Sequence, residues 1–206
     1  MNNRYTFASL FNKPISIGEG CDPVVISRVV IPRIQRPYAQ GRMDDESKKV
    51  REKFLKDLFA ALDDESHELD LNFIYGKVDG ISDDRGMKKY EMQLLDGQQR
   101  FTTLFLLHWY LVVREQVSQE AGKDILHALQ AFKYETRDTS TAFCKMLGDI
   151  ANSEKRFSFL CDEDGISMSP RKAIKKSLDY VHSYESDPTI GGMLTMLDAI
   201  DEKYNK

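Results

Sequence analysis

The sequence predicts an α+β protein: a small mixed sheet with flanking helices, followed by a helical extension. Three observations carry this prediction. "PVVISRVVIP", Pro23 to Pro32, is rich in β-branched residues and closed by proline at both ends, which reads as a strand. "LNFIYGKV" and "KYEMQLL" are two further short strand-like runs, separated by the polar, glycine-containing "DGISDDRGMKK", which reads as a hairpin with a long loop. After about residue 118 the apolar spacing is almost entirely helical. The expected division is an α+β domain over residues 1–120 and a helical extension over 121–206, with room for a further module after it. No internal repeat is visible.

The elements follow in order. The first strand runs into "RIQRPYAQGR", a loop or strand exit punctuated by Pro37 and Gly41 and carrying Arg33, Gln35, Arg36, Tyr38 and Arg42. Asp44 to Leu62 reads as a helix, with Asp44 or Asp45 as its cap and Val50, Phe54, Leu58 and Leu62 as its apolar face. After the hairpin comes the most apolar helix, from about Gln98 to Gln119, bearing Phe101, Leu104, Phe105, Leu107, His108, Leu111 and Val112. A short helix is expected at "KDILHALQAF", and "KYETRDTS" breaks the pattern. Asp138 opens a helix with Phe143, Met146, Leu147 and Ile150 on one face. A helix from Pro170 to about Tyr184 and a last one from Gly192 to Tyr204 complete the chain.

Composition narrows the class. Apolar residues make up 41% of the 206 and charged residues 30%, the balance of a globular protein able to bury its own core. A net charge of −4 argues against a surface coated with positive charge for non-specific nucleic-acid binding, though it allows a local basic face. Cys21, Cys144 and Cys161 are far apart and odd in number, with no C-x-x-C spacing, so neither a zinc site nor a disulfide framework is expected. The start lacks the apolar core of a signal peptide, and the longest apolar run is broken by His108 and too short for a bilayer. The expected location is the cytoplasm, with no membrane partner.

The stretch "LLDGQQRFTTL", Leu94 to Leu104, places an acid, a glycine, two glutamines and an arginine where a strand hands over to a helix. Two readings follow from the residues. Asp96 and Gln99 have the spacing of a capping box. The same turn is equally a candidate anion site: a helix N-terminus presents free amides and partial positive charge, Gly97 allows close approach, and Arg100 adds a donor fork suited to phosphate. Thr102 and Thr103 add hydroxyls, Asp96 is a candidate ligand for a divalent cation, and a glutamine could orient water. The lysine and spacing of a Walker A loop are missing.

Two motifs together carry a family resemblance. "IPRIQRPYAQGR", Ile31 to Arg42, followed about fifty residues later by "LLDGQQRFTTLFLL", Leu94 to Leu107, resembles the N-terminal domain of GmrSD-type restriction endonucleases, a ParB/sulfiredoxin-like domain. "FKYETRDTSTAFCKML", Phe132 to Leu147, is similar to one branch of that family, and the resemblance spans about Phe7 to Leu147. Where many members carry a tryptophan shortly after the tyrosine of the first motif, this chain has Gln40.

The resemblance implies a regulatory domain that binds and hydrolyses an NTP with Mg²⁺ in a modification-dependent, phage-directed restriction system. It implies partners too: modified DNA, and a separate nuclease module of the His-Asn-His type. Carried over residue by residue, Asp96, Gln98, Gln99 and Arg100 are the catalytic candidates. Gln35, Arg36, Gly97, Arg100, Thr102 and Thr103 are the nucleotide-binding candidates, and Asp96 is the candidate metal ligand. Arg33, Tyr38, Arg42 and Arg137 are candidates for DNA contact. A non-catalytic module that senses nucleotide or DNA is the alternative. The four histidines, His67, His108, His127 and His182, do not form a nuclease pattern, so this chain is expected to lack the nuclease. His108 is expected in the core and His67 in solvent. Tyr134 fits either a base-stacking or a core role. Lys172, Lys175 and Lys176 read first as a solvated basic face, and "CDEDG" lacks the pattern of a calcium loop.

Overall fold

A computed structural model describes residues 4–18, 20–64, 66, 68–82 and 86–206; the expectation for His67 lies outside them. Four strands form one mixed sheet in the order β2-β3-β1-β4. Strand β1 (Ile26–Ile31) lies parallel to β3 (Lys88–Leu94), with Val29 opposite Met92, and parallel to β4 (Phe132–Tyr134), with Val29 opposite Phe132. Strand β2 (Gly76–Ser82) is antiparallel to β3 and forms the hairpin. Val29, Val30 and Ile31 are all buried, although consecutive strand residues point to opposite faces. Strand β1 is therefore covered on both sides, which is what its unbroken β-branched run encodes.

Helix α1 (Asp45–Asp63) crosses between β1 and the hairpin. Asp44 caps it by accepting from the Ser47 amide at 2.9 Å and the Ser47 hydroxyl at 2.8 Å, and these two bonds hold its carboxyl below the usual range. Its buried face is Arg51, Leu55, Leu58 and Phe59; of the expected stripe Leu58 is buried and Phe54 partly so, while Val50 and Leu62 are exposed. Steps of four overshoot the helical repeat of 3.6, so a stripe of four such positions winds around the helix away from the core.

The expected strand at Leu71–Val78 is displaced toward the C-terminus. Asn72 adopts φ 62°, which breaks the extended run, and ladder pairing begins only at Gly76 and continues to Ser82. Tyr75 still guides the chain, because its carbonyl accepts from the amides of Leu95 at 3.0 Å and Asp96 at 3.1 Å.

Helix α2 (Gln98–Arg114) is the central element, burying Phe101, Phe105, Leu106, Trp109, Tyr110 and Val113. His108 hydrogen-bonds through Nδ1 to the Leu104 carbonyl at 2.7 Å and stacks on Phe7. Around α2 lie α3 (Lys123–Ala131), α4 (Asp138–Ala151) and α6 (Pro188–Tyr204), and α5 (Pro170–Lys176) packs on α6. Helix α5 ends well before Tyr184, since Ser177 turns extended, and a 3-10 turn over His182–Ser186 follows. Helix α6 begins at Pro188, not Gly192, with Asp187 as its cap.

The sheet and the core both cross residue 120. Strand β4 pairs with β1, Phe132 packs against Phe101 and Phe105, and Trp109 donates to the Leu147 carbonyl at 2.8 Å. Among the described residues no helix is long and apolar enough to cross a membrane.

Candidate functional site

The loop after β1 and the turn before α2 are brought side by side. Glycine at 97 is dictated locally: its φ is +82°, and a Cβ there would lie 2.7 Å from Cγ1 of Ile74. It is the N-cap of α2 and carries no side-chain cap bond, so the expected capping box between Asp96 and Gln99 does not form. A left-handed glycine turns the chain sharply into the helix and sends Gln99 elsewhere. Its Oε1 accepts from the amides of Ala39 at 2.7 Å and Gln40 at 3.3 Å, and its Nε2 donates to the Pro37 carbonyl at 3.4 Å. Gln98 reaches the same loop, its Nε2 donating to Oε1 of Gln35, and Gln35 in turn donates to the Leu94 carbonyl at 3.5 Å. The two glutamines of the motif are thus the fasteners between the loop and the helix. The Gln98 Oε1 atom is buried and has no hydrogen-bond partner among the described residues.

The rest of the loop is held from below. Tyr134, fully buried, donates to the Arg36 carbonyl at 3.0 Å, so its role is in the core. Tyr38, 1% exposed, hydrogen-bonds the Thr103 hydroxyl at 2.7 Å, and that hydroxyl also meets Oε1 of Gln40 at 2.6 Å. Burial pushes the Tyr38 hydroxyl well up despite the opposing Thr103 bond, so it stays protonated. Arg51 of α1 donates to the carbonyls of Gln40 and Arg42, each at 3.0 Å.

The result is a cleft of about 400 Å³. Arg36, Ala39 and Gln40 form one side, the turn Asp96 to Arg100 a second, and Glu46, Ser47 and Val50 from the start of α1 a third. The first turn of α2 leaves the amides of Gln98, Gln99 and Arg100 without intrahelical acceptors, since the first such bond runs from Phe101 to Gly97. Arg36 is exposed, and its guanidinium has no ion pair among the described residues. The Arg100 guanidinium is partly committed. It donates to the Leu71 carbonyl, to the Phe73 carbonyl at 3.3 Å and to Asp96 Oδ2 at 3.3 Å, which leaves two of its five donors. Asp96 is the more exposed partner of that pair, at 55% against 25%.

Several expected site residues sit elsewhere. Thr102 and Thr103 are completely buried and donate back to the Gln98 and Gln99 carbonyls at 2.8 and 3.0 Å, so they are not available to a ligand in the cleft. Tyr38 is inside the protein and cannot touch DNA. Arg137 is bound to the buried carboxylate of Asp187 at 3.0 Å, a structural pair. Arg33 and Arg42 are at the surface, Arg33 in an open ion pair with Asp138 at 2.5 Å. The basic face of α5 is largely neutralised, with Lys175 paired to Glu185 and Lys176 to Glu163. Glu46, Ser47, Val50 and Arg51 were missed. The capping signal of Asp44 and Ser47 is readable in sequence, but nothing there says that this helix start faces the second motif.

For a magnesium ion, the donors fit only in part. No group of three or more His, Cys, Asp or Glu side chains able to hold a metal exists among the described residues. Asp96 is one exposed carboxylate on the cleft, which suits an ion held mainly by phosphate oxygens and water.

Comparison with curated proteins and with solved structures gives no match in either case. The family model described as the GmrSD restriction endonuclease N-terminal domain matches residues 9–197, nearly the whole chain and both motifs that build the cleft, and the protein therefore belongs to the family of GmrSD restriction endonuclease N-terminal domains.

Proposed function

We propose that this member of a restriction-related defence family binds a nucleoside triphosphate in the cleft between α1 and α2 and hydrolyses it, as the regulatory half of a modification-dependent DNA restriction system. The observation that carries this reading is the convergence on one cleft of the free amides at the start of α2 and of Arg36, which has no ion pair among the described residues. A triphosphate oxygen meets the free amides at Gln98 to Arg100, where the helix dipole favours negative charge. Arg36 and the two free donors of Arg100 neutralise charge as it grows on the transferred phosphoryl group. Gln98 holds the loop that carries Arg36 through its bond to Gln35, and so keeps Arg36 at the cleft. Gln99 is fully used by the loop and positions it. Bound Mg²⁺, held by Asp96, would screen phosphate charge. Modified DNA and a His-Asn-His nuclease module are the partners that this reading implies.

A non-catalytic nucleotide or DNA sensor is the second reading. It is favoured by the commitment of Gln99, Thr102, Thr103 and most of Arg100 to internal bonds.

Phosphate release from the four common NTPs, with Mg²⁺ and with or without DNA, separates the readings. Arg36→Ala is expected to weaken nucleotide binding by about ten- to a hundredfold, the value of a charge-assisted bond. Gln98→Ala is expected to weaken nucleotide binding as well, since it unfastens the loop that carries Arg36. Binding without turnover in the unaltered protein identifies the sensor, and absence of both overturns the proposal.

A further inference from the structure

Arg51 does not line the cleft but donates to two carbonyls of the loop that does, and it is used by none of the steps above. It is 6% exposed, on the inner face of α1, one residue beyond the cleft-lining Val50. Buried arginines are normally paired with a carboxylate, because an unpaired charge inside a protein is costly. Arg51 has no such pair among the described residues; its guanidinium donates to the neutral carbonyls of Gln40 and Arg42. Those carbonyls belong to the loop that closes the cleft, and Gln40 itself lines it. The buried arginine Arg156 provides a contrast. It too is held by carbonyls, those of Val117, Ala151 and Ser153, but the latter two sit at the C-terminal end of α4, where the negative end of the helix dipole offsets its charge. Arg51 has no comparable offset, as its two carbonyl partners belong to the loop and not to a helix C-terminus.

We propose that Arg51 is a positioning and electrostatic residue of the cleft: a fixed, buried positive charge whose missing counter-charge is the anionic ligand itself. Its guanidinium sets the loop carbonyls of Gln40 and Arg42, and through Gln40 the amides that hold Gln99. Its charge is carried unneutralised until phosphate enters. This assignment rests on the reading of the cleft as a phosphate site.

The test uses the full chain and inorganic tripolyphosphate, which reads charge recognition without a base or sugar. Binding is measured by calorimetry and by the shift in melting temperature, for the unaltered protein, Arg51→Lys and Arg51→Gln. Lysine keeps the charge, and glutamine keeps a donor for the carbonyls without the charge. Arg51→Lys is expected to bind within about threefold of the unaltered protein. Arg51→Gln is expected to bind about tenfold more weakly, the scale of one fixed charge acting through a partly buried medium, while its ligand-free melting temperature holds or rises. If Arg51→Gln fails to fold, Arg51→Lys decides: binding within about threefold of the unaltered protein supports the assignment, and weaker binding overturns it. Equal weakening in both variants, or undiminished binding in Arg51→Gln, overturns the role of charge and leaves the phosphate cleft standing. No binding by the unaltered protein overturns both.

Discussion

Gly97 concentrates the conflict between local and global demands into one position. A helix would gain from serine or aspartate at its N-cap, where a side-chain oxygen satisfies a free amide. Glycine gives that up, leaving the amides open and the chain in the left-handed region at φ 82°. Any side chain at this position meets Ile74, whose Cγ1 would lie 2.7 Å from the added carbon. Gly97→Ala is therefore expected to destabilise the fold by about 1–3 kcal/mol, combining backbone strain with the clash. In a chain of this size that lowers the melting temperature by roughly 2–4 °C per kcal/mol. Urea unfolding followed by circular dichroism measures it, and an unchanged midpoint would show that the left-handed turn is not required. Tyr38, Thr102 and Thr103 carry the complementary lesson. Their hydroxyls are chemically fit to bind a ligand, and the structure turns them inward: Tyr38 and Thr103 onto the joint between loop and helix, Thr102 onto the Gln98 carbonyl of its own helix.

Among elements, the joint between α4 and α6 is built on one buried carboxylate. Asp187, its side chain 1% exposed, caps α6 through the Thr189 amide at 2.9 Å. It also accepts from Thr139 and Ser140 of α4, each at 2.6 Å, and from Arg137 at 3.0 Å. Burial pushes the Asp187 carboxyl up, but these four bonds outweigh it and hold the group below the ordinary range. A carboxylate with a depressed folded value stabilises the protein fully above its unfolded value, and that stability disappears as pH falls through the folded value. The unaltered protein is thus expected to lose stability progressively below about pH 4. Asp187→Asn should cost about 2–4 kcal/mol at pH 7, near the low end for a buried pair because Arg137 is half-exposed and can regain water. Its acid limb should be shallower. Urea midpoints at intervals from pH 7 to pH 3 test both, and parallel curves for the two proteins would contradict the account. Sequence reading reaches such elements unevenly. Strand β1 and helices α2 and α4 were legible because long apolar spacing specifies them. Strand β4 was not, since its three residues straddle the end of the expected short helix and the polar break, carry no period of their own and gain strand structure only from pairing with β1. The cleft was half legible: the motifs name Arg36 and the turn at Gly97, whereas the wall from α1 exists only through tertiary packing.

For the molecule as a whole, the question is whether the α+β part can stand without the helices that follow it. The expected boundary at residue 120 falls between α2 and α3, but strand β4 and the aromatic contacts of Phe132 lie beyond it. A fragment of residues 1–120 would leave β1 with an open edge where β4 now pairs, exposing the amides and carbonyls of its most apolar residues. It would also uncover α2 along the face bearing Phe105, Trp109 and Tyr110, now covered by Phe132, by the Leu147 carbonyl and by Asp201, which accepts from Tyr110 at 2.8 Å. A helix apolar around most of its circumference needs partners on every side. Even the cleft depends on the later chain: Tyr134 holds the Arg36 carbonyl, and a Cβ on Gly41 would lie 1.8 Å from the Gly192 carbonyl oxygen, so α6 packs backbone to backbone against the loop. The fragment is accordingly expected to show no cooperative thermal transition and to self-associate, while the 206-residue chain unfolds in a single transition. Thermal melts followed by circular dichroism, with size-exclusion chromatography of both chains, decide the matter. A fragment that melts cooperatively near the midpoint of the full chain would mean that the first 120 residues form a self-sufficient unit and that the later helices are an attachment.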